Sequence, residues 1–216
     1  MELIQYLNTY FLTEEVLLKK VNVDYSVLEK YQLMGIMPKA SYQLRLAIHC
    51  DSFFGLRDET QSLRYYAKGY VSWFNVVREL SDAQGGHKEA VYAVFLKRYL
   101  DTIHKLNGLG HALNRVQKEH DLHCHIEQEW AHFLAGTYGL CTLSGLPEDI
   151  AAKELAISQI NTLSQLTSLT SEQRIQLTRA VNLLDDVSAL FAPHERETSS
   201  RKRLVDDIRK IYQLSA

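Results

Sequence analysis

Cysteine is almost missing from this 216-residue chain: Cys50, Cys124 and Cys141 are too few and too irregularly spaced for a disulfide framework or a four-cysteine zinc site. Reduced thiols in a cytoplasm are expected. No basic start leads into an apolar stretch, and no apolar run approaches the ~18 residues of a spanning helix, so a soluble, unsecreted protein without a membrane span is expected. A formal net charge of -2 gives no global pull toward nucleic acid or an anionic membrane. Proline is confined to positions 38, 147 and 193, which lets long helices run uninterrupted. Period-two alternation is scarce as well, while apolar spacings of three and four recur from Glu2 to Leu214. These shortages point to an all-α protein, a helical bundle.

Helices are expected at about 2–11, 13–20, 24–33, 56–81, 87–107, 111–135, 147–167, 171–191 and 198–213. Pro147 suits a first turn, with Glu148 and Asp149 behind it to meet the positive helix end. Thr170 or Ser171 can cap the next helix, and Pro193 closes it. Gly85-Gly86 and Gly108-Leu109-Gly110 read as short breaks between antiparallel neighbours. The organisation expected is a head over residues 1–54 and a helical bundle body over 55–216.

The head carries a helix-turn-helix pattern from Thr13 to Pro38, with Leu17, Val23 and Leu28 inward and Gly35-Ile36-Met37 as an exit toward a short strand-like wing at 39–54. This winged-helix-turn-helix-like segment resembles the DNA-reading head of MerR-type regulators, which usually work as dimers, so a homodimer is one implied state. Its electrostatics oppose DNA. Lys19, Lys20, Lys30, Lys39 and Arg45 are balanced by Glu2, Glu14, Glu15, Asp24 and Glu29, and the second helix offers Tyr25, Ser26, Glu29 and Lys30. A packing or partner-binding role fits this balance better than phosphate contact.

The densest chemistry lies between Lys118 and His132, which holds His120, His123, His125 and His132 with Glu127 and Glu129. Sorting 111–135 by helical face puts Ala112, Leu113, Val116, Leu122, Ile126, Trp130, Phe133 and Leu134 on an apolar arc, with His120, His123 and Glu127 inside it. His125, Glu129 and His132 fall on the polar face. Two imidazoles and a carboxylate turned inward can serve as three metal ligands, as an acid–base site, or as a hydrogen-bonded cluster that only fixes packing. No cofactor is specified beyond a divalent metal that this trio would accept. Glu129 and His132 also have the Glu-x-x-His spacing of helical di-iron proteins, but in one copy where such sites use two.

Two further stretches are candidate ligand contacts. Tyr66, Tyr70 and Trp73 fall on neighbouring helical positions and form either a stacking wall or plain core. Tyr138 and Cys141 lie in the Gly136–Gly145 connector, where Cys141 is a nucleophile only if a base approaches it, and where the connector otherwise simply turns. The charges from Arg196 to Lys210 read as a salt-bridged solvated helix.

The stretches Tyr65–Trp73, Glu129–Thr142 and Leu146–Glu154 together resemble an uncharacterised bacterial family labelled natural-product biosynthesis proteins. The resemblance implies a small-molecule role in a bacterial cytoplasm and transfers no catalytic residue. Three readings stay open: an accessory protein that binds a small molecule or a protein partner, an enzyme built on His120, His123 and Glu127, and a regulator whose body senses a metabolite.

Overall fold

The computed structural model describes residues 2–84, 87–111 and 119–214, with backbone alone at 83–84 and 119–123. Helix α1 (Glu2–Tyr10) leads straight into a short strand β1 (Phe11–Thr13), followed by α2 (Glu14–Val21) and α3 (Tyr25–Leu33). The Thr13 side chain accepts from the Val16 N–H at 3.3 Å and starts α2, while Asn22 takes a left-handed conformation (φ 54°) and ends it. Leu17, Val21 and Leu28 are buried, so the two short helices close over one another and over Ile36 and Met37.

The all-α expectation is wrong, because residues 42–67 form β-structure. Strands β2 (Tyr42–Ser52) and β3 (Gly55–Ala67) pair antiparallel from Tyr42↔Tyr65 to Ser52↔Gly55, and β1 joins the other side of β3, giving the order β1-β3-β2. The wing expected at 39–54 is thus one half of a longer hairpin, and the helix expected from residue 56 begins only at Tyr70. The physical reason lies in the hairpin's exposure. Leu44, Leu46 and Ile48 do alternate with more polar residues, but β3 is exposed on both faces from Gly55 to Ser62, so no buried side imposes a period on its sequence. The turn is the two residues Phe53-Phe54, and Gly55 follows at φ 111°, a value that side chains resist. The head boundary expected at residue 54 falls in this turn, and the main apolar cluster draws on both sides of it, from Leu12 to Leu155.

The body comprises α4 (Tyr70–Gln84), α5 (Lys88–Gly108), α6 (Glu119–Leu134), α7 (Thr137–Cys141), α8 (Pro147–Ser164) and α9 (Ser171–Val187), then a single 3-10 turn, a π-helical turn at Lys202–Asp206 and α10 (Asp207–Tyr212). Its centre is aromatic: Trp73 meets Phe133 edge-on at 4.9 Å between centroids, and Phe95 meets Trp130 at 5.0 Å. The Trp73 indole N–H donates to the Ile36 carbonyl at 3.0 Å, joining head and body. Local signals in α8 and α9 were realised. Pro147 opens α8 with Glu148 and Asp149 in its first turn, and Thr170 and Gln173 form a reciprocal capping box for α9. Helices α8 and α9 bury Ala156, Ile160, Leu177, Ala180, Val181 and Leu184 against Val205 and Ile208.

One seam ties the hairpin base to α6. The Lys39 N–H donates to the Leu134 carbonyl at 2.9 Å, and Ser41 donates to Tyr65 at 2.8 Å. Gly136 (φ 86°) sits on this seam, and a Cβ there would lie 2.7 Å from the Lys39 carbonyl oxygen and 2.9 Å from that of Ala40.

Candidate metal centre

Helix α6 is phased by Ile126, Trp130 and Phe133, all buried and spaced at four and three residues. Glu129 falls beside Phe133 at the edge of this arc, and it is 5% exposed. Glu127 points the other way and is exposed, the reverse of the facial sorting drawn from the sequence. That sorting leaned on Ala112, Leu113 and Val116, whereas the described part of α6 starts at Glu119. His120 and His123, the other members of the expected trio, lie outside the described side chains.

The structure instead brings together His125 and Glu129, one turn apart on α6, and Glu154 of α8, with one ligand atom from each lying within 4.8 Å of the others. Among the described residues no other group of three or more His, Cys, Asp or Glu side chains is so close. His125 Nδ1 stands 3.8 Å from Glu129 Oε1. The second Glu129 oxygen, Oε2, is buried without a hydrogen-bond partner. Tyr138 donates from its hydroxyl to Glu154 Oε1 at 3.4 Å. Lys153, buried beside them, donates to the Cys141 carbonyl at 3.0 Å and lies 5.9 Å from the Phe191 ring centre.

The electrostatics follow from this crowding. Burial pushes the Glu129 carboxyl up to about 7, with the neighbouring Glu154 adding to the rise and Lys153 opposing it. Glu154 is raised too, chiefly by burial, against the pull of His125, Lys153 and His132. Tyr99 on α5 is raised by burial and then by both carboxylates, which places it against the same site. Two carboxylates that share a dry space cannot both ionise cheaply. A cation between them would remove that cost.

The remaining expected contacts are distributed differently. Tyr66, Tyr70 and Trp73 are interior residues rather than a stacking wall. The Tyr66 hydroxyl donates to Glu14 at 3.1 Å, and the Tyr70 hydroxyl is buried beside Ser41 and the Gly139 backbone. Among the expected ligand contacts whose side chains are described, Tyr138 is the one that hydrogen-bonds a member of the trio. Cys141 is half-buried and touches it only through its carbonyl. On the outer side of α3, the Tyr25 hydroxyl donates to Glu29 at 3.3 Å and Arg64 pairs with Glu14 at 2.9 Å. Sequence reasoning passed over Glu154, although Lys153-Glu154 interrupts the apolar run Ile150-Ala151-Ala152 and Leu155-Ala156, and such an interruption is a usable signal for buried charge.

No helix of the described residues is long and apolar enough to cross a membrane. A family of unknown function (DUF6058) matches residues 91–213, a span that holds both α6 and α8, and the chain belongs to that family. No curated protein and no solved structure matches the chain.

Proposed function

We propose that the protein binds a divalent transition-metal ion between α6 and α8, held by His125, Glu129 and Glu154. The observation that carries this reading is the buried, unpartnered Oε2 of Glu129 inside a trio whose donor atoms already lie within 4.8 Å. Bonds of roughly 2.0–2.2 Å from such an ion set neighbouring donors roughly 3.0–3.4 Å apart, so closure requires shifts of about an ångström in side chains alone. One imidazole and two carboxylates suit zinc, iron(II) or manganese(II) better than a soft ion that prefers thiolates. Three protein donors leave coordination positions open to water or to a small molecule. This supports a small-molecule role, in keeping with the resemblance to natural-product biosynthesis proteins, with Tyr138 placed to orient Glu154.

Calorimetric titration of tag-free protein with zinc(II), manganese(II) and iron(II) tests the reading. At least one should bind at a single site, and Glu129→Gln and Glu154→Gln should each weaken it about a hundredfold or more, while Glu127→Gln leaves it unchanged. The absence of binding by all three ions, or equal losses in all three variants, would overturn it.

A further inference from the structure

The β2–β3 hairpin leaves two things unmatched. Its tip is apolar and open: Phe53 is 97% exposed, Phe54 95% and Leu56 84%. Its outer edge is also free among the described residues, where β2 pairs with β3 alone along eleven residues. A two-stranded ribbon of this length is weakly stable alone, and an open edge is a template for another strand. The ribbon's charges point to what that strand is. Asp58 is paired with His49 at 2.8 Å, Glu59 with Arg57 at 3.5 Å and Arg64 with Glu14 at 2.9 Å. Arg45 and Asp51 are the two left without a partner among the described residues. They sit on one face of the same strand, six positions apart, so at roughly 3.3 Å per residue they are about 20 Å from each other.

We propose that β2 pairs antiparallel with β2 of a second copy of this chain about a two-fold axis at Ile48. In that register Arg45 lies opposite Asp51 of the second copy and Asp51 opposite its Arg45, so the unmatched charges form two symmetry-related pairs. Leu46 meets Cys50, Ile48 meets itself, and the half-buried stripe of Leu44, Leu46 and Ile48 becomes continuous across a four-stranded sheet. Phe53 and Phe54 fall opposite Gln43 and Tyr42 at the base of the other hairpin, where Leu44 and Leu63 already pack on the head. Neighbouring registers with the same face alignment oppose Arg45 to His49 or to Phe53 and lose the charge match. A lipid surface fits less well, since Asp51, Asp58 and Glu59 outnumber Arg57 around the tip.

Sedimentation velocity over a concentration series tests the pairing. The wild-type protein should form a dimer, Arg45→Asp and Asp51→Arg should each weaken it roughly tenfold or more, and the double exchange should restore it. Ile48→Cys in a Cys50→Ser background should form an intermolecular disulfide under mild oxidant, because directly opposed residues lie about 4.5–5.5 Å apart between Cα atoms. Circular dichroism of each variant checks that the body is folded. A wild-type monomer at every concentration, a double exchange as weak as either single change, or no cross-link through residue 48 would each overturn the proposal.

Discussion

The α6–α8 centre and the β2–β3 ribbon leave opposite kinds of group unsatisfied. Inside the body a carboxylate oxygen is buried without a donor, whereas at the ribbon tip two phenylalanines touch each other edge-on and otherwise stand in water. The interior case acts on folding directly: moving Glu129 from an ordinary 4.5 to about 7 corresponds to about 3 kcal/mol against the ionised form. The exterior case costs the monomer almost nothing, because those rings are equally wet in the unfolded chain. It forgoes about 1.5–3 kcal/mol per side chain that burial would supply. An unmet need in the core is therefore felt in stability, and one on the surface is felt only in association.

Three substitutions separate these regimes. Trp73→Ala removes the ring at the centre of the aromatic cluster and the donor to Ile36, and should cost about 3–5 kcal/mol in urea unfolding. A loss under 1 kcal/mol would mean that the cluster is not the fold's centre. Glu129→Gln in metal-free protein should act in the other direction. Between pH 4.5 and 7 the native state holds a proton that the unfolded chain has released, so wild-type stability falls as pH rises through that window. The glutamine variant should thus be more stable than wild type by up to about 3 kcal/mol at pH 8 and equal to it near pH 4.5. Unfolding midpoints that differ by the same amount at both pH values would contradict the shifted carboxyl. Phe54→Ser should change the unfolding free energy of dilute protein by no more than about 0.5 kcal/mol, and a larger loss would show that the tip already packs on something.

What the sequence made readable follows the range of the forces involved. The starts of α8 and α9 were legible because Pro147, Glu148 and Thr170 act within one turn of themselves. The second strand of the ribbon was not, because Asp58, Glu59 and Thr60 are exposed and carry no periodic signature of the strand they form. Asn22 and Gly35 end α2 and α3 where local chemistry requires it, yet the length of the hairpin after them is set by pairing across the turn. The histidine helix was found in the right place but in the wrong phase. Glu129 was visible as half of a Glu-x-x-His pattern, and only its partner on α8, 25 positions away, makes it more than surface chemistry. That adjacency is a property of helix packing, which no local pattern encodes.

Gly136 sets a tolerance. Backbone meets backbone where the hairpin base crosses the end of α6, so the fit between the two has no side chain to compress or reorient when it is disturbed. One added carbon at this position has nowhere to go, and the carbonyls of Lys39 and Ala40 would have to retreat. The orientation of an eleven-residue arm relative to a helical body is thus gauged by a clearance about the size of a methyl group, and Gly136→Ala is the smallest change that would re-aim one against the other.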